Sequence, residues 1–104
     1  MATAYHMDGD GMVATHYCGA GNQPRMRAVS WDPKAKLLRF DFWDITHLPD
    51  PKAYYTTNIE LYFQDDDHVE LRFRGTTAGS EGEWQTHRMR RLTSRPYKRE
   101  TDEP

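Results

Sequence analysis

The sequence predicts an all-β domain: about seven antiparallel strands in up-and-down order, forming a strongly curled sheet or partial barrel. Three observations carry that prediction. Apolar and polar residues alternate with period two along most of the chain, as in strands with one buried face. Turn-forming residues interrupt the alternation at short intervals, leaving no room for parallel crossovers, which need about a dozen residues or more. No stretch offers helical spacing with caps over three turns.

Each element follows from its own residues. Ala2 to Met7 is the first strand, closed by Asp8-Gly9-Asp10-Gly11, whose Asp-Gly pairs tolerate positive φ and favour a tight hairpin. Such a hairpin pairs Met7 with Met12 and brings Thr3 and Tyr5 onto the face of Met12, Ala14 and His16. Met12 to Cys18 is the second strand, followed by the loop Gly19 to Pro24. Arg25 to Trp31 is the third, ended by Asp32-Pro33-Lys34-Ala35-Lys36, and Leu37 to Ile45 the fourth and most hydrophobic. Thr46 to Tyr55 contains Pro49 and Pro51, and reads as a loop with one helical turn. Thr56 to Gln64 and His68 to Thr76 are the fifth and sixth strands, separated by Asp65-Asp66-Asp67; Trp84 to Leu92 is the seventh, after the polar turn Ala78 to Gly82. Residues 1–93 read as a single domain and 94–104 as a polar, flexible tail.

The alternation assigns faces. Leu38, Phe40 and Phe42 point away from Arg39 and Asp41; Ile59, Leu61 and Phe63 from Glu60, Tyr62 and Gln64; Val69, Leu71 and Phe73 from Glu70, Arg72 and Arg74. One face of the sheet is therefore an apolar lining and the other is wet.

Composition narrows the function classes. The 104 residues are 37% hydrophobic and 29% charged, yet three Trp, six Tyr and four Phe are too many for a disordered chain. The net charge of −2 supplies no global basic field for nucleic acid. Six of the fourteen Lys and Arg residues do fall between Arg88 and Arg99, but Glu100, Asp102 and Glu103 offset them, so nucleic acid is an unlikely partner. No run approaches the roughly 18 apolar residues of a membrane helix, and no signal-peptide core follows Met1. A single cysteine, Cys18, excludes an internal disulfide, and the expected compartment is the cytoplasm. The five histidines are scattered without a ligand-like pair, so neither a metal nor a cofactor is expected.

The residues that bear chemistry cluster early. His16 and Cys18 share a face of the second strand, where an imidazole beside a thiol suggests a nucleophilic dyad. Residues two apart on a strand point in parallel, however, and no third group or oxyanion hole accompanies them, so a small packed Cys and a pocket His are the plainer reading. The loop Gly19 to Pro24 lacks the Lys-Ser/Thr ending of a phosphate-binding loop and opens no helix. Arg25 and Arg27 share a face; pointing inward, they would be anion-binding candidates.

Tyr5-His6-Met7-Asp8-Gly9-Asp10, Thr15-His16-Tyr17-Cys18 and Gly21-Asn22-Gln23-Pro24-Arg25-Met26-Arg27 together resemble the core of a family of small uncharacterised bacterial proteins with a lipocalin-like (calycin) barrel. Leu38 to Leu48 and Leu61 to Val69 are similar to that family's later elements. The family pattern opens with further strands, so this chain is expected to begin mid-barrel. The resemblance implies a barrel-type cavity and assigns its pocket side to His16, Cys18, Asn22, Gln23, Arg25 and Arg27.

The expected function is that of a binding module for a small, partly apolar or amphipathic molecule, with His16, Arg25 and Arg27 as polar anchors and aromatic side chains as walls. Ala14 and Cys18 beside His16 are small and leave room at the ring, so His16 is expected to line the cavity and His16→Ala to weaken binding at little cost in stability. An enzyme using His16 or Cys18 is the alternative, which rapid alkylation of Cys18 would reveal. Two further classes are a haem protein with a histidine ligand, as some calycin relatives are, and a structural protein without a small ligand. An unpaired first strand and an incompletely covered lining of Phe40, Phe42, Leu61, Phe63, Leu71 and Phe73 lead to the expectation of a homodimer.

Overall fold

A computed structural model describes residues 2–92, and the tail expected at 94–104 lies outside them. The strands are β1 (Ala2–Asp8), β2 (Gly11–Tyr17), β3 (Gln23–Asp32), β4 (Leu37–Thr46), β5 (Tyr55–Phe63), β6 (His68–Thr77), β7 (Ser80–Glu81) and β8 (Gln85–Arg90). They form one antiparallel sheet in the order β1-β2-β3-β4-β5-β6-β7, with β8 also on β6. β7 and β8 occupy successive stretches along the same partner, so the sheet is a seven-strand meander whose last strand is interrupted at 82–84. It is not closed into a barrel: among the described residues β1 pairs only with β2, and β8 only with β6.

Turn chemistry sets the registers. Gly9, with φ of 62°, takes the first central position of a two-residue turn, which fixes Met7 opposite Met12 and Thr3 opposite His16. Between β4 and β5 the expected helical turn is absent. Lys52 N–H donates to Asp50 Oδ1 at 2.9 Å and Ala53 N–H to Asp50 O at 3.0 Å, a side-chain-capped turn in place of a helix. Pro49 and Pro51, which supply no N–H, leave that turn little else to build on.

The apolar face falls where the alternation places it. Phe40, Ile59 and Phe73 stand in one cross-strand row, and Leu38, Leu61 and Leu71 in the next. Ala14, Met26, Phe40, Ile59 and Leu61 are buried at the centre, with Met12, Ala28, Phe63 and Val69 packed around them. Much of the lining is thus covered by the curl of the sheet itself, whereas Phe42 remains 39% exposed near the rim. Curling brings β1 close to β6 and β8: Tyr5, Leu71, Phe73 and Met89 border one hollow, and the Tyr5 ring lies 5.7 Å from that of Phe40. Gly75, opposite Thr56 on β5, permits the closest approach. A Cβ there would meet Tyr55 O at 2.4 Å and the Tyr54 ring at 2.7 Å. No helix among the described residues is long and apolar enough to cross a membrane.

Candidate functional site

The concave face holds a cavity of about 350 Å³ between β1, β2, β5, β6 and β8. Tyr5, Ile59, Leu71 and Phe73 supply apolar wall, and His87 stacks on Phe73 with ring centres 5.3 Å apart and planes 9° from parallel. A second hollow of about 450 Å³ continues along the same face and shares Tyr5 and Met89 with the first.

Two lining residues bring polar groups into these apolar surroundings. His16, 9% exposed, has its Nδ1 2.8 Å from Thr3 Oγ1, while its Nε2 is buried without a partner. Burial holds the imidazole pKa below the usual histidine value, so at neutral pH the ring is uncharged. Thr56, 1% exposed, likewise has an unpartnered hydroxyl. Orphaned buried polar atoms are uncommon, because each gives up its bonds to water at a cost of about 1–3 kcal/mol. Both atoms belong to residues that line this cavity.

The other residues assigned to the pocket side separate from His16. Arg25 pairs in register with Thr15 and Arg27 with Val13, whereas Ala14, which shares His16's face, pairs with Met26. Arg25 and Arg27 therefore stand on the opposite face, and the inward placement that would make them ligand anchors is not found. Their guanidinium groups lie 4.4 and 3.8 Å from the centre of the Trp43 ring, one paired with Asp44 and the other with Asp8 at 3.1 Å. A bulge explains the cluster. The register shift between Arg25 and Met26 skips Trp43, so Trp43 and Asp44 both serve Arg25.

Asn22, Gln23 and Cys18 shape the loop. Cys18 N–H donates to Asn22 O and Gly21 N–H to Cys18 O, both at 3.0 Å, closing a tight turn. Asn22 is 2% exposed and ties this turn to the β4–β5 loop by donating from Nδ2 to Tyr54 O at 2.9 Å; its Oδ1 has no partner. Gln23 donates to Gly21 O at 3.2 Å and accepts from Thr46 Oγ1 at 2.9 Å. Cys18 is half-buried and makes no hydrogen bond to His16, whose Nδ1 faces Thr3. The thiol–imidazole dyad is thus not assembled.

No protein-family model, curated protein or solved structure matches the chain.

A groove of about 540 Å³ lies on the wet face, and its arginines are already paired. Arg39 meets Glu60 at 2.9 Å, Arg72 meets Glu70 at 3.3 Å, and Arg74 meets Glu81 at 3.0 Å while lying 4.6 Å from the Trp84 ring centre. A ligand there would have to displace one charge partner for another. The concave cavity asks for no such exchange.

Thr56 escapes the periodic reading of the sequence. Three positions from Ile59, it belongs on the opposite face of a regular strand, but a register shift between Thr56 and Asn58 returns it to the concave side. His87 is legible in retrospect, alternating with Gln85 and Met89 on the last strand.

Proposed function

We propose that this chain binds a small, partly apolar molecule on its concave face, with His16 as the polar anchor. The observation that carries the reading is an apolar-walled cavity whose lining includes an imidazole with one nitrogen held by Thr3 and the other unpartnered. Its volume of about 350 Å³ falls within the range of small-molecule sites. The test is a screen of small aromatic compounds by amide NMR. Binders should shift the signals of Thr3, His16, Leu71 and Phe73; a screen in which every response maps to Trp84 and Arg74 on the wet face would overturn the proposal.

The β1 edge favours a second reading, self-association. β1 runs seven residues without Pro, Lys or a bulge, the features that commonly protect an edge strand. Tyr5 and Met7 on its concave side are 41% and 58% exposed. A second copy pairing along this edge would satisfy both. Sedimentation should then show a dimer that Tyr5→Lys dissociates, and a monomer for the unmodified chain removes this reading.

A further inference from the structure

We propose that the groove on the wet face, across the sheet from the concave cavity, binds a neutral saccharide: a ring with several hydroxyls and no net charge. It is a second site, independent of the binding function proposed above.

The groove interleaves donors and acceptors. Arg39 Nε lies 2.9 Å from Glu60 Oε2, and Arg74 Nη2 lies 3.0 Å from Glu81 Oε1. Asn58 is held from both sides: its Nδ2 donates to Asp41 Oδ1 at 3.0 Å, and its Oδ1 accepts from Arg74 Nε at 3.1 Å. These side chains are tied to one another before any ligand arrives, which lowers the ordering cost of binding.

An ion pair does not exhaust its members. A guanidinium has five N–H donors and a carboxylate about four acceptor sites, so even a two-point pair leaves some spare. A sugar hydroxyl donates and accepts at once, and can give its proton to Glu60 while accepting from Arg39 without parting them. The exchange of charge partners that bars an ionic ligand does not arise for a neutral one. The Arg39 side chain is 55% exposed, which leaves its donors within reach. Trp84 borders the groove and is 39% exposed, so indole surface is open to the C–H face of a sugar ring beside the Arg74 guanidinium. The volume of about 540 Å³ falls within the range of small-molecule sites.

Methyl glycosides of glucose, galactose and mannose, each beside its uronic acid counterpart, test this by NMR titration of the full chain at pH 7.5. Concentrations up to about 50 mM cover the millimolar affinity expected of an open groove. At least one neutral glycoside should shift the signals of Trp84, Arg74 and Asn58. It should bind about fivefold or more tighter than its uronic acid counterpart, whose carboxylate meets Glu60 and Glu81. Glu60→Gln should narrow that preference by releasing Arg39, and Trp84→Ala should weaken the neutral glycoside. The unmodified chain decides the charge question even if a variant fails to fold. Equal binding of the neutral and acidic sugars would overturn the proposal. So would a panel that leaves the groove unshifted or moves only Tyr5 and His16, and neither result touches the reading of the concave face.

Discussion

Thr3 Oγ1 lies 2.8 Å from His16 Nδ1, and this hydrogen bond across β1 and β2 determines which nitrogen of the imidazole is left for other partners. The edge strand, which contributes few buried residues of its own, thereby orients the most deeply buried imidazole of the concave face. The sheet's outermost hairpin and the cavity are coupled through that pair.

Thr3→Val should therefore cost stability and disturb the cavity together. The expected loss is about 1 kcal/mol for one side-chain hydrogen bond, measured as a fall in the urea midpoint. Binding of the aromatic compounds found by the NMR screen should weaken as the ring loses its fixed orientation. His16→Ala should cost more, about 1–3 kcal/mol, because it empties a site 9% exposed and strips Thr3 of its partner. The low cost expected from sequence took no account of Thr3.

Acid should destabilise the protein through His16. Its folded pKa lies below the ordinary value, so between that depressed value and about 6.5 the unfolded chain binds more protons than the folded one. Stability attributable to His16 is then fully present above about 6.5 and falls as pH drops through the window. Asp44, held low by its hydrogen bond from Arg25, and Asp65, held low by the Asp67 backbone N–H and then by His68, act separately. Their contributions are lost only as pH falls below about 4. Urea midpoints at pH 7.5 and 5.5 should converge in His16→Gln; an unchanged gap would assign the acid sensitivity elsewhere.

Arg25→Ala and Arg27→Ala should leave binding of the aromatic compounds found by the NMR screen unaltered, because both side chains lie across the sheet from the cavity. Their ion pairs are well exposed and screened by solvent, so each variant should change stability little. Calorimetric titration of each variant checks the first point and chemical denaturation the second. A tenfold loss of affinity in either variant would contradict the face assignment.

Ala78→Asn should stabilise the protein. The turn between β6 and β7 holds Ala78 at φ 52° and Gly79 at φ 82°, and a left-handed alanine is strained where asparagine or glycine is not. The expected gain is about 0.5–1 kcal/mol, read as a rise in Tm with no change in ligand affinity.

The sequence by itself determined the strands, their antiparallel order and which face is apolar. Those properties are local: a tight turn at Gly9 fixes one register, and alternation such as Leu38-Arg39-Phe40 declares its own two sides. It also placed Thr3 and His16 on one face, since hairpin pairing follows from turn length. The tertiary structure decided what the alternation could not. Bulges at Trp43 and near Thr57 break the period of two: one gathers Asp44 with Arg25 on the wet face, the other turns Thr56 inward. The inward or outward sense of Arg25 and Arg27 was open in the sequence because alternation shows only that they share a side; pairing with Thr15 and Val13 settles which. The cavity itself depends on the curl that carries β1 toward β8, strands with no hydrogen bond between them and therefore no pairing signal in their residues.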